Sequence, residues 1–394
     1  MYWLDLSVAV QGLGASAWYP CKDHQSDEPD KGASLTVNVP DTLVAIANGR
    51  LIAEASSKGL KSYTWEVKNP INNYNIVPYI GKYVNFSDTL MGEKGKLDLN
   101  YWVLDYNLNK AQRHLQQTDT MLRSFEYWLG PYPFYEDSYK LVEAPMPGME
   151  HQSAIAYGND FENGYVKGNL SGTQWGLKWD FILVHESGHE WFGNSITASN
   201  NGDTWIHEGF TKYLEVLYTD YVFGKEAGNE YALGIRKRIK NDQPVIGTGT
   251  TDQYYKSSAM LHIIRQILGD TAFRGWLQGL NQMFYHRTTT TEQILTFLNK
   301  YTKNDFTKVF DQYLRTTNVP VLEYFLQTDG LQYRWNNCLQ DFTMPVRISL
   351  DSNAYNLIYP TTQWQKLTVS TMKQIKLTVD RNFYIEAKEQ QTNR

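Results

Sequence analysis

The sequence contains little cysteine and no long hydrophobic run. Its 394 residues include two cysteines, Cys21 and Cys338, so a disulfide framework and a cysteine-rich metal site are both excluded. No apolar run approaches the roughly 18 residues that a membrane-spanning helix needs. Internal repeats and low-complexity tracts are also absent. The expected class is therefore a globular protein without a transmembrane segment.

An excess of basic residues is absent as well. The formal net charge is −5 at pH 7, and the isoelectric point is about 5.9. Nucleic acids and anionic membranes attract positively charged proteins, so neither is expected as a partner. The composition leaves the oligomeric state open.

The amino terminus has no basic segment before its apolar residues, so Met1 to Leu6 is not a signal peptide. These residues are typical of a strand that begins part-way along its length. We therefore expect that the start of the first domain is missing, together with any targeting information. The localisation stays open between the cytoplasm and the periplasm.

The hydrophobic pattern divides the chain into three domains, which agrees with a length that exceeds one small core. Residues 1–104 alternate between apolar and polar side chains, as strands do. Strands are predicted at 34–39, 43–47 and 63–67. The pair Asn48-Gly49 predicts a tight hairpin turn between the second of these strands and one that begins at Arg50.

Residues 105–317 have apolar side chains at helical spacing. One helix is predicted from Leu108 to Leu129, and another from Ser257 to Leu268. Thr290 and Gln293 predict a capping box at the start of a later helix. The second domain is therefore expected to be mainly helical.

Residues 318–394 return to a period of two, with predicted strands at 321–325, 344–350, 366–369 and 375–379. Turn residues separate these strands, which predicts a small β-sandwich. The expected fold class is therefore a multidomain α+β protein. It has an N-terminal β domain that is incomplete at its start, a mainly helical middle domain and a C-terminal β-sandwich.

The segment from His185 to His189 is an H-E-x-x-H motif. Two histidines four positions apart on a helix face the same side, so both imidazoles can bind one metal ion. Glu186 lies beside the first histidine, where it reaches a water molecule rather than the ion. Two neutral nitrogen ligands, an open coordination position and a carboxylate base suit zinc-dependent hydrolysis.

A third metal ligand is predicted at Glu208, nineteen positions after His189. A catalytic zinc takes three protein ligands and a water, and a second antiparallel helix can bring a carboxylate at this distance. The competing metzincin pattern requires glycine and histidine where this chain has Phe192 and Ser195. His207 points about 100° away from Glu208 on a helix, so it is interpreted as a structural or supporting residue.

Four segments together resemble the aminopeptidase N and leukotriene hydrolase family of gluzincin zinc metallopeptidases. Residues 185–197 and 205–215 match its two zinc helices, Pro147 to His151 matches G-x-M-E-N, and Tyr254 to Ser257 matches Y-x-K-G. The resemblance extends over nearly the whole chain. It indicates a short member of bacterial type that lacks the large C-terminal helical domain. It implies a thermolysin-like middle domain and one Zn²⁺ as cofactor.

The resemblance also implies a role for the residues around the metal. His185, His189 and Glu208 would bind zinc, and Glu186 would act as the general base on the attacking water. Tyr254 would donate a hydrogen bond to the oxyanion, and the spacing to Lys256 favours it over its neighbour Tyr255.

Further residues would recognise the substrate. Glu150 would bind the free α-ammonium group of a peptide, because a carboxylate in a dry pocket selects strongly for a cation. Gln11 lies nine positions before Pro20 of a P-C-x-D segment and would be a second contact to the amine. Gly148 and Met149 would line the pocket for the first side chain.

The chain departs from the family pattern at three positions. His151 replaces the asparagine of G-x-M-E-N, His207 replaces the asparagine before the zinc glutamate, and Ser257 replaces the glycine of Y-x-K-G. None of the three is a catalytic group. We expect them to change the shape of the substrate subsites and hence the specificity.

The predicted function is that of a zinc aminopeptidase acting on peptides with a free N-terminus. One alternative is an epoxide hydrolase of the leukotriene hydrolase type, which Gln11 in place of glutamate favours mildly and the β pattern after Val319 disfavours. A second alternative is a non-catalytic peptide-binding scaffold. A general endopeptidase is disfavoured by Glu150.

Overall fold

The computed structural model describes residues 6–11, 14–327, 330–350, 354–368 and 376–391. These residues combine nine α-helices with strands that form several sheets, so the architecture is mixed α and β. Among the helices described, none is long and apolar enough to cross a membrane.

Eight strands precede the first α-helix in the described residues. They are β1 (Leu6–Ser7), β2 (Ala33–Pro40), β3 (Val44–Ile46), β4 (Arg50–Ser57), β5 (Leu60–Val67), β6 (Tyr79–Gly81), β7 (Tyr83–Gly92) and β8 (Gly95–Leu104). One sheet has the order β2-β5-β4 and another has the order β1-β6-β3. Every second residue at the end of β5 is buried, namely Tyr63, Trp65 and Val67, as expected for a strand with one face on a core. The strands predicted at 34–39, 43–47 and 63–67 are therefore confirmed.

The hairpin predicted at Asn48-Gly49 is wrong. β3 pairs with β6 and β4 pairs with β5, so the strands on either side of the turn belong to different sheets. The Asn48 side chain donates to the Gln152 carbonyl oxygen at 2.6 Å and accepts from the Val77 N–H at 2.9 Å. The Gly49 N–H donates to Ser153 Oγ at 2.8 Å. These contacts with distant segments direct the chain between two sheets, and a local turn pattern carries no sign of them.

A five-stranded sheet has the order β10-β11-β9-β8-β7, in which β9 is Tyr139–Glu143, β10 is Gly148–Met149 and β11 is Ile155–Tyr157. β8 pairs in parallel with β9. The sheet therefore continues across residue 104, the predicted end of the first domain. β10 lies at the edge of this sheet and pairs with β11.

The nine helices follow β8. They are α1 (Leu108–His114), α2 (Gln117–Leu129), α3 (Phe181–Gly188), α4 (Trp205–Phe223), α5 (Lys225–Arg236), α6 (Asp252–Leu268), α7 (Asp270–Met283), α8 (Thr291–Thr302) and α9 (Thr307–Arg315). Two short parallel strands, β12 (Ile196–Ala198) and β13 (Arg287–Thr289), lie among them. The region predicted as mainly helical thus contains all nine described helices, and the strands β9 to β13 lie between them.

The single helix predicted from Leu108 to Leu129 is two helices, because the backbone tightens where the Thr118 N–H donates to the Leu115 carbonyl oxygen at 3.0 Å, three residues back. The capping box is confirmed. The Gln293 N–H donates to Thr290 Oγ1 at 3.3 Å, and the Thr290 N–H donates to Gln293 Oε1 at 3.0 Å.

The C-terminal residues form two sheets. The first has the order β18-β15-β14-β20, with β14 (Val321–Gln327), β15 (Gly330–Asn336), β18 (Gln365–Thr368) and β20 (Glu386–Glu389). The second has the order β17-β16-β19, with β16 (Val346–Ser349), β17 (Asn356–Ile358) and β19 (Thr378–Val379). Buried side chains of both sheets, including Leu331, Trp335 and Ile348, join one hydrophobic cluster. Residues 369 and 375 of the predicted strands lie outside the described residues.

Candidate metal centre and substrate site

Helix α3 carries the H-E-x-x-H motif. The Asp180 side chain caps its start by accepting a hydrogen bond from the Leu183 N–H at 3.1 Å. The helix ends at Gly188, so His189 is its C-cap residue. His189 keeps right-handed helical backbone angles (φ −64°, ψ −18°), and the predicted relation between the two histidines is preserved.

His185, His189 and Glu208 meet where α3 packs against α4. Glu208 Oε2 lies 3.6 Å from His185 Nε2 and 3.4 Å from His189 Nε2. The candidate ligand atoms of all three residues lie within 4.8 Å of one another, and all three side chains are buried. Within the described residues, Glu208 Oε2 has no hydrogen-bond partner. A buried carboxylate oxygen that faces two imidazole nitrogens fits a metal cation as its partner.

The outer nitrogens of both histidines are held by other groups. His185 Nδ1 lies 2.8 Å from Glu215 Oε1, and His189 Nδ1 lies 2.9 Å from the Phe192 carbonyl oxygen. Both partners are acceptors, so each Nδ1 carries the proton and donates it. Each Nε2 is thereby turned towards Glu208, where its lone pair would bind a metal ion, as in a metal-binding histidine.

Glu215 belongs to a buried polar network. Besides His185, it accepts hydrogen bonds from Lys212 Nζ and from the Tyr231 hydroxyl, each at 2.7 Å. Burial opposes ionisation of Glu215, but Lys212 and His185 outweigh it and lower the pKa of this carboxyl. The ionised Glu215 therefore holds the His185 ring in its orientation.

Glu186 follows His185 on α3 and is buried. Burial raises the pKa of Glu186 to about 7. Gly148 on the edge strand β10 lies directly against it, because a Cβ atom at position 148 would be 2.6 Å from Glu186 Oε1. Met149, the next residue of β10, is partly buried. The edge strand therefore passes beside the predicted base.

Glu150 follows β10, and it is 4% exposed. Its Oε1 accepts hydrogen bonds from Gln11 Nε2 at 2.7 Å and from the Tyr74 hydroxyl at 3.1 Å. A second group of candidate ligand atoms, from Glu150, Glu186 and His189, also lies within 4.8 Å of one another. The structure thus brings Gln11 and Glu150, which are far apart in sequence, together beside the metal centre.

Tyr254 lies in the first turn of α6. Its ring stacks on His185 with centroids 6.2 Å apart. Burial, followed by the charge and hydrogen bond of Glu208, raises the pKa of the Tyr254 hydroxyl, so this hydroxyl keeps its proton. The ring of Tyr255 instead lies 5.4 Å from Lys212 Nζ. Tyr254 is therefore the tyrosine of this pair that faces the ligand set.

The three residues that depart from the family pattern, His151, His207 and Ser257, are fully buried, at 0% exposure. His207 Nε2 accepts a hydrogen bond from the Ala198 N–H at 2.8 Å. His151 Nδ1 lies 2.5 Å from the Tyr79 hydroxyl. Ser257 lies where α6 crosses α4. A Cβ atom added at Gly209 of α4 would be only 2.5 Å from the Ser257 Cβ, so the two helices are in close contact there. All three side chains are therefore packed inside the protein, and their effect on the shape of the substrate subsites stays a prediction.

Tyr74 is a site residue that the sequence analysis missed. It lies in a short turn, Asn73–Asn75, between β5 and β6. The chain has 28 tyrosines, and no local pattern separates this one from those that only pack. The signal that identifies it is its contact with Glu150, which exists only in the folded protein.

Comparison with known proteins identifies the family. The sequence model for the peptidase family M1 domain matches residues 106–313, more than half of the chain. The match contains His185, Glu186, His189, Glu208 and Tyr254. The chain belongs to peptidase family M1. The gluzincin resemblance is thereby confirmed, and the family implies one catalytic Zn²⁺, for which His185, His189 and Glu208 are the candidate ligands.

Curated relatives within family M1 are distant. The chain is 25% identical over 293 residues to leukotriene A-4 hydrolase of Xenopus laevis, covering 68% of this chain and 45% of the relative. It is 20% identical over 406 residues to probable aminopeptidase 2 of Sulfurisphaera tokodaii, covering 96% of this chain and 51% of the relative. It is 23% identical over 331 residues to endoplasmic reticulum aminopeptidase 1 of Homo sapiens, covering 77% of this chain and 34% of the relative. The chain spans about half the length, or less, of these relatives.

Solved structures of family M1 share the fold. An M1 zinc metallopeptidase mutant from Deinococcus radiodurans, bound to a Tyr-Ser-Ala substrate, superimposes with a TM-score of 0.69 at 21% identity. The alignment covers 80% of this chain and 70% of that one. At this identity the likeness shows a common fold.

Proposed function

We propose that this chain is a zinc-dependent aminopeptidase that removes residues from peptides with a free N-terminus. The observation that carries the proposal is the position of Glu150. Its buried carboxylate lies within 4.8 Å of the base Glu186 and of the ligand His189. A carboxylate outside the metal-binding set, placed beside the base, is suited to hold an α-ammonium next to the bond to be cleaved.

Gln11 supports the same site. Its Nε2 donates to Glu150 Oε1 at 2.7 Å, which fixes the orientation of both side chains. The Gln11 side-chain oxygen is then the acceptor that would bind the substrate ammonium together with Glu150. A peptide with a blocked amine would lose both contacts and leave the buried Glu150 charge without a cation to balance it.

The edge strand β10 would align the peptide backbone. An extended substrate can add to a sheet edge through main-chain hydrogen bonds. Because Gly148 has no side chain, the substrate backbone can approach Glu186 closely. Met149 would contact the first side chain of the peptide.

The chain's own residues then move the protons. His185, His189 and Glu208 would hold the zinc ion, which when bound would supply a Lewis acid for the attacking water and the scissile carbonyl. Glu186 takes a proton from the attacking water and passes it to the leaving amine. A pKa raised to about 7 by burial suits a carboxylate that must accept and release a proton near neutral pH. Tyr254 donates a hydrogen bond to the developing oxyanion.

Epoxide hydrolysis is a second candidate function. Gln11 in place of glutamate favours it, and one curated relative is named leukotriene A-4 hydrolase. The same metal ligands and base would serve that reaction. A non-catalytic scaffold is disfavoured, because the base and every predicted ligand are present and lie together.

Product analysis tests the proposal. Zinc-loaded protein is incubated with a short peptide and, separately, with its N-acetylated twin, and mass spectrometry follows the fragments. The proposal predicts stepwise release of single residues from the free N-terminus alone. Interior cleavage of both peptides would contradict it. Turnover of a lipid epoxide without release of amino acids would establish the second candidate instead.

A further inference from the structure

We infer that Tyr74 is a positioning residue that orients the Glu150 carboxylate towards the substrate ammonium. The inference rests on the proposed aminopeptidase function and goes beyond it, because it assigns part of the amine recognition to the turn between β5 and β6. The Tyr74 hydroxyl donates to Glu150 Oε1 at 3.1 Å. Tyr74 is a positioning residue in the sense that it acts on substrate through Glu150.

Two donors converge on the same carboxylate oxygen. Gln11 Nε2 approaches Glu150 Oε1 at 2.7 Å from the N-terminal segment, and the Tyr74 hydroxyl approaches it from the turn. Together they prevent rotation of the carboxylate about its last side-chain bond. The orientation of the second oxygen, Oε2, is thereby fixed before substrate binds, and less rotational freedom is lost on binding.

The turn that carries Tyr74 is anchored on both sides. Asn73 Nδ2 donates to Asp27 Oδ2 at 2.8 Å, which ties the turn to the N-terminal segment. Asn75 Nδ2 donates to Asn194 Oδ1 at 2.7 Å. Asn194 Nδ2 in turn donates to the Glu150 carbonyl oxygen at 2.9 Å.

One turn therefore holds Glu150 twice, at the side chain through Tyr74 and at the main chain through Asn75 and Asn194. Asn194 lies five residues after the metal ligand His189. This double attachment fixes the distance between the amine site and the metal centre. Tyr74 is itself buried, at 6% exposure. Burial, followed by the Glu150 charge, raises the pKa of its hydroxyl, so it stays a donor in neutral solution.

The test is Tyr74→Phe, which removes one hydroxyl and keeps the ring. For a free-amine aminoacyl chromogenic amide, KM should rise about 10-fold or more, the effect of losing one hydrogen bond to a charged group, while kcat changes by less than about 3-fold. Zinc content should stay equimolar, and turnover of the N-acetylated twin should not change.

Tyr19→Phe is the matched control. Its hydroxyl donates to the Asn73 carbonyl oxygen at 2.9 Å, in the same turn, but Glu150 is not its partner. This variant should keep the wild-type KM. An unchanged KM for Tyr74→Phe would overturn the inference, as would an equal rise for both variants, since that would indicate only a loosened turn.

The two proposals fail in different ways. If the wild-type protein cleaves the free-amine amide and Tyr74→Phe cleaves it with the same KM, only the role of Tyr74 is wrong. If the zinc-loaded wild type fails to cleave that amide, the proposed function is wrong and the inference falls with it. A loss of kcat and of zinc with an unchanged KM would show a structural role and would also overturn the inference.

Discussion

Gly148 lies so close to Glu186 that no side chain fits between them: a Cβ atom at 148 would be 2.6 Å from Glu186 Oε1 and 2.7 Å from Glu186 Cγ. Gly148→Ala should therefore displace the base. A shift of about 1 Å at a reacting group costs on the order of 10²-fold in rate, so kcat should fall by about that factor. Steady-state kinetics with zinc analysis check this. A variant with full zinc and wild-type kcat would show that Glu186 has room to move.

Glu186→Gln should abolish most turnover without loss of zinc, because it removes the base and none of the three ligands. The expected fall in kcat is about 10²- to 10⁴-fold, the usual contribution of general acid–base catalysis. Metal analysis and single-turnover kinetics on the same preparation provide the measurement. Substantial activity in the zinc-loaded variant would assign the proton transfer to another group.

Tyr254→Phe should lower kcat by about 10²- to 10³-fold, as expected for the loss of one donor to an oxyanion. Tyr255→Phe is the natural control, since its ring lies beside Lys212 rather than the ligand set. The two variants should differ clearly in kcat and agree in zinc content. The reverse order of activities would transfer the role to Tyr255.

Glu215→Gln should weaken zinc binding. Glu215 Oε1 accepts the Nδ1 proton of His185 at 2.8 Å, and loss of such an outer partner typically costs about 10- to 100-fold in metal affinity. Competition with a chelator of known affinity measures the change. Glu226→Gln, on an exposed side chain in α5, serves as the control and should bind zinc as the wild type does. Equal affinity in both variants would remove Glu215 from the metal centre.

The sequence predicted those parts of the site that depend on local geometry. His185, Glu186 and His189 lie within five residues of one helix, and helical periodicity fixes their relation. Glu208 is predicted because a catalytic zinc needs a third ligand and a second antiparallel helix can bring a carboxylate nineteen positions after His189. The capping box of Thr290 and Gln293 is local in the same sense. Each of these predictions depends on residues near one another in sequence.

Two features that were wrong or missed, the hairpin at Asn48-Gly49 and the role of Tyr74, depend on contacts between distant segments. Asn48 and Gly49 have the composition of a hairpin turn, but they bond to the loop after Glu150 and join two sheets. Tyr74 approaches Glu150 across 76 positions of sequence. Because hydrophobic period and turn composition describe single elements, they give no information on which elements meet.

The decisive measurement compares cleavage of a free-amine aminoacyl chromogenic amide and of its N-acetylated twin, by the zinc-loaded wild type and by Glu150→Gln. If Glu150 binds the substrate amine, the wild type cleaves only the free-amine amide efficiently. Glu150→Gln should lose about 10²-fold or more in kcat/KM on that substrate, since one partner of a buried charge pair is removed. Its zinc content should not change. Equal cleavage of both amides by wild type, or an unchanged preference in Glu150→Gln, would contradict an aminopeptidase anchored by Glu150.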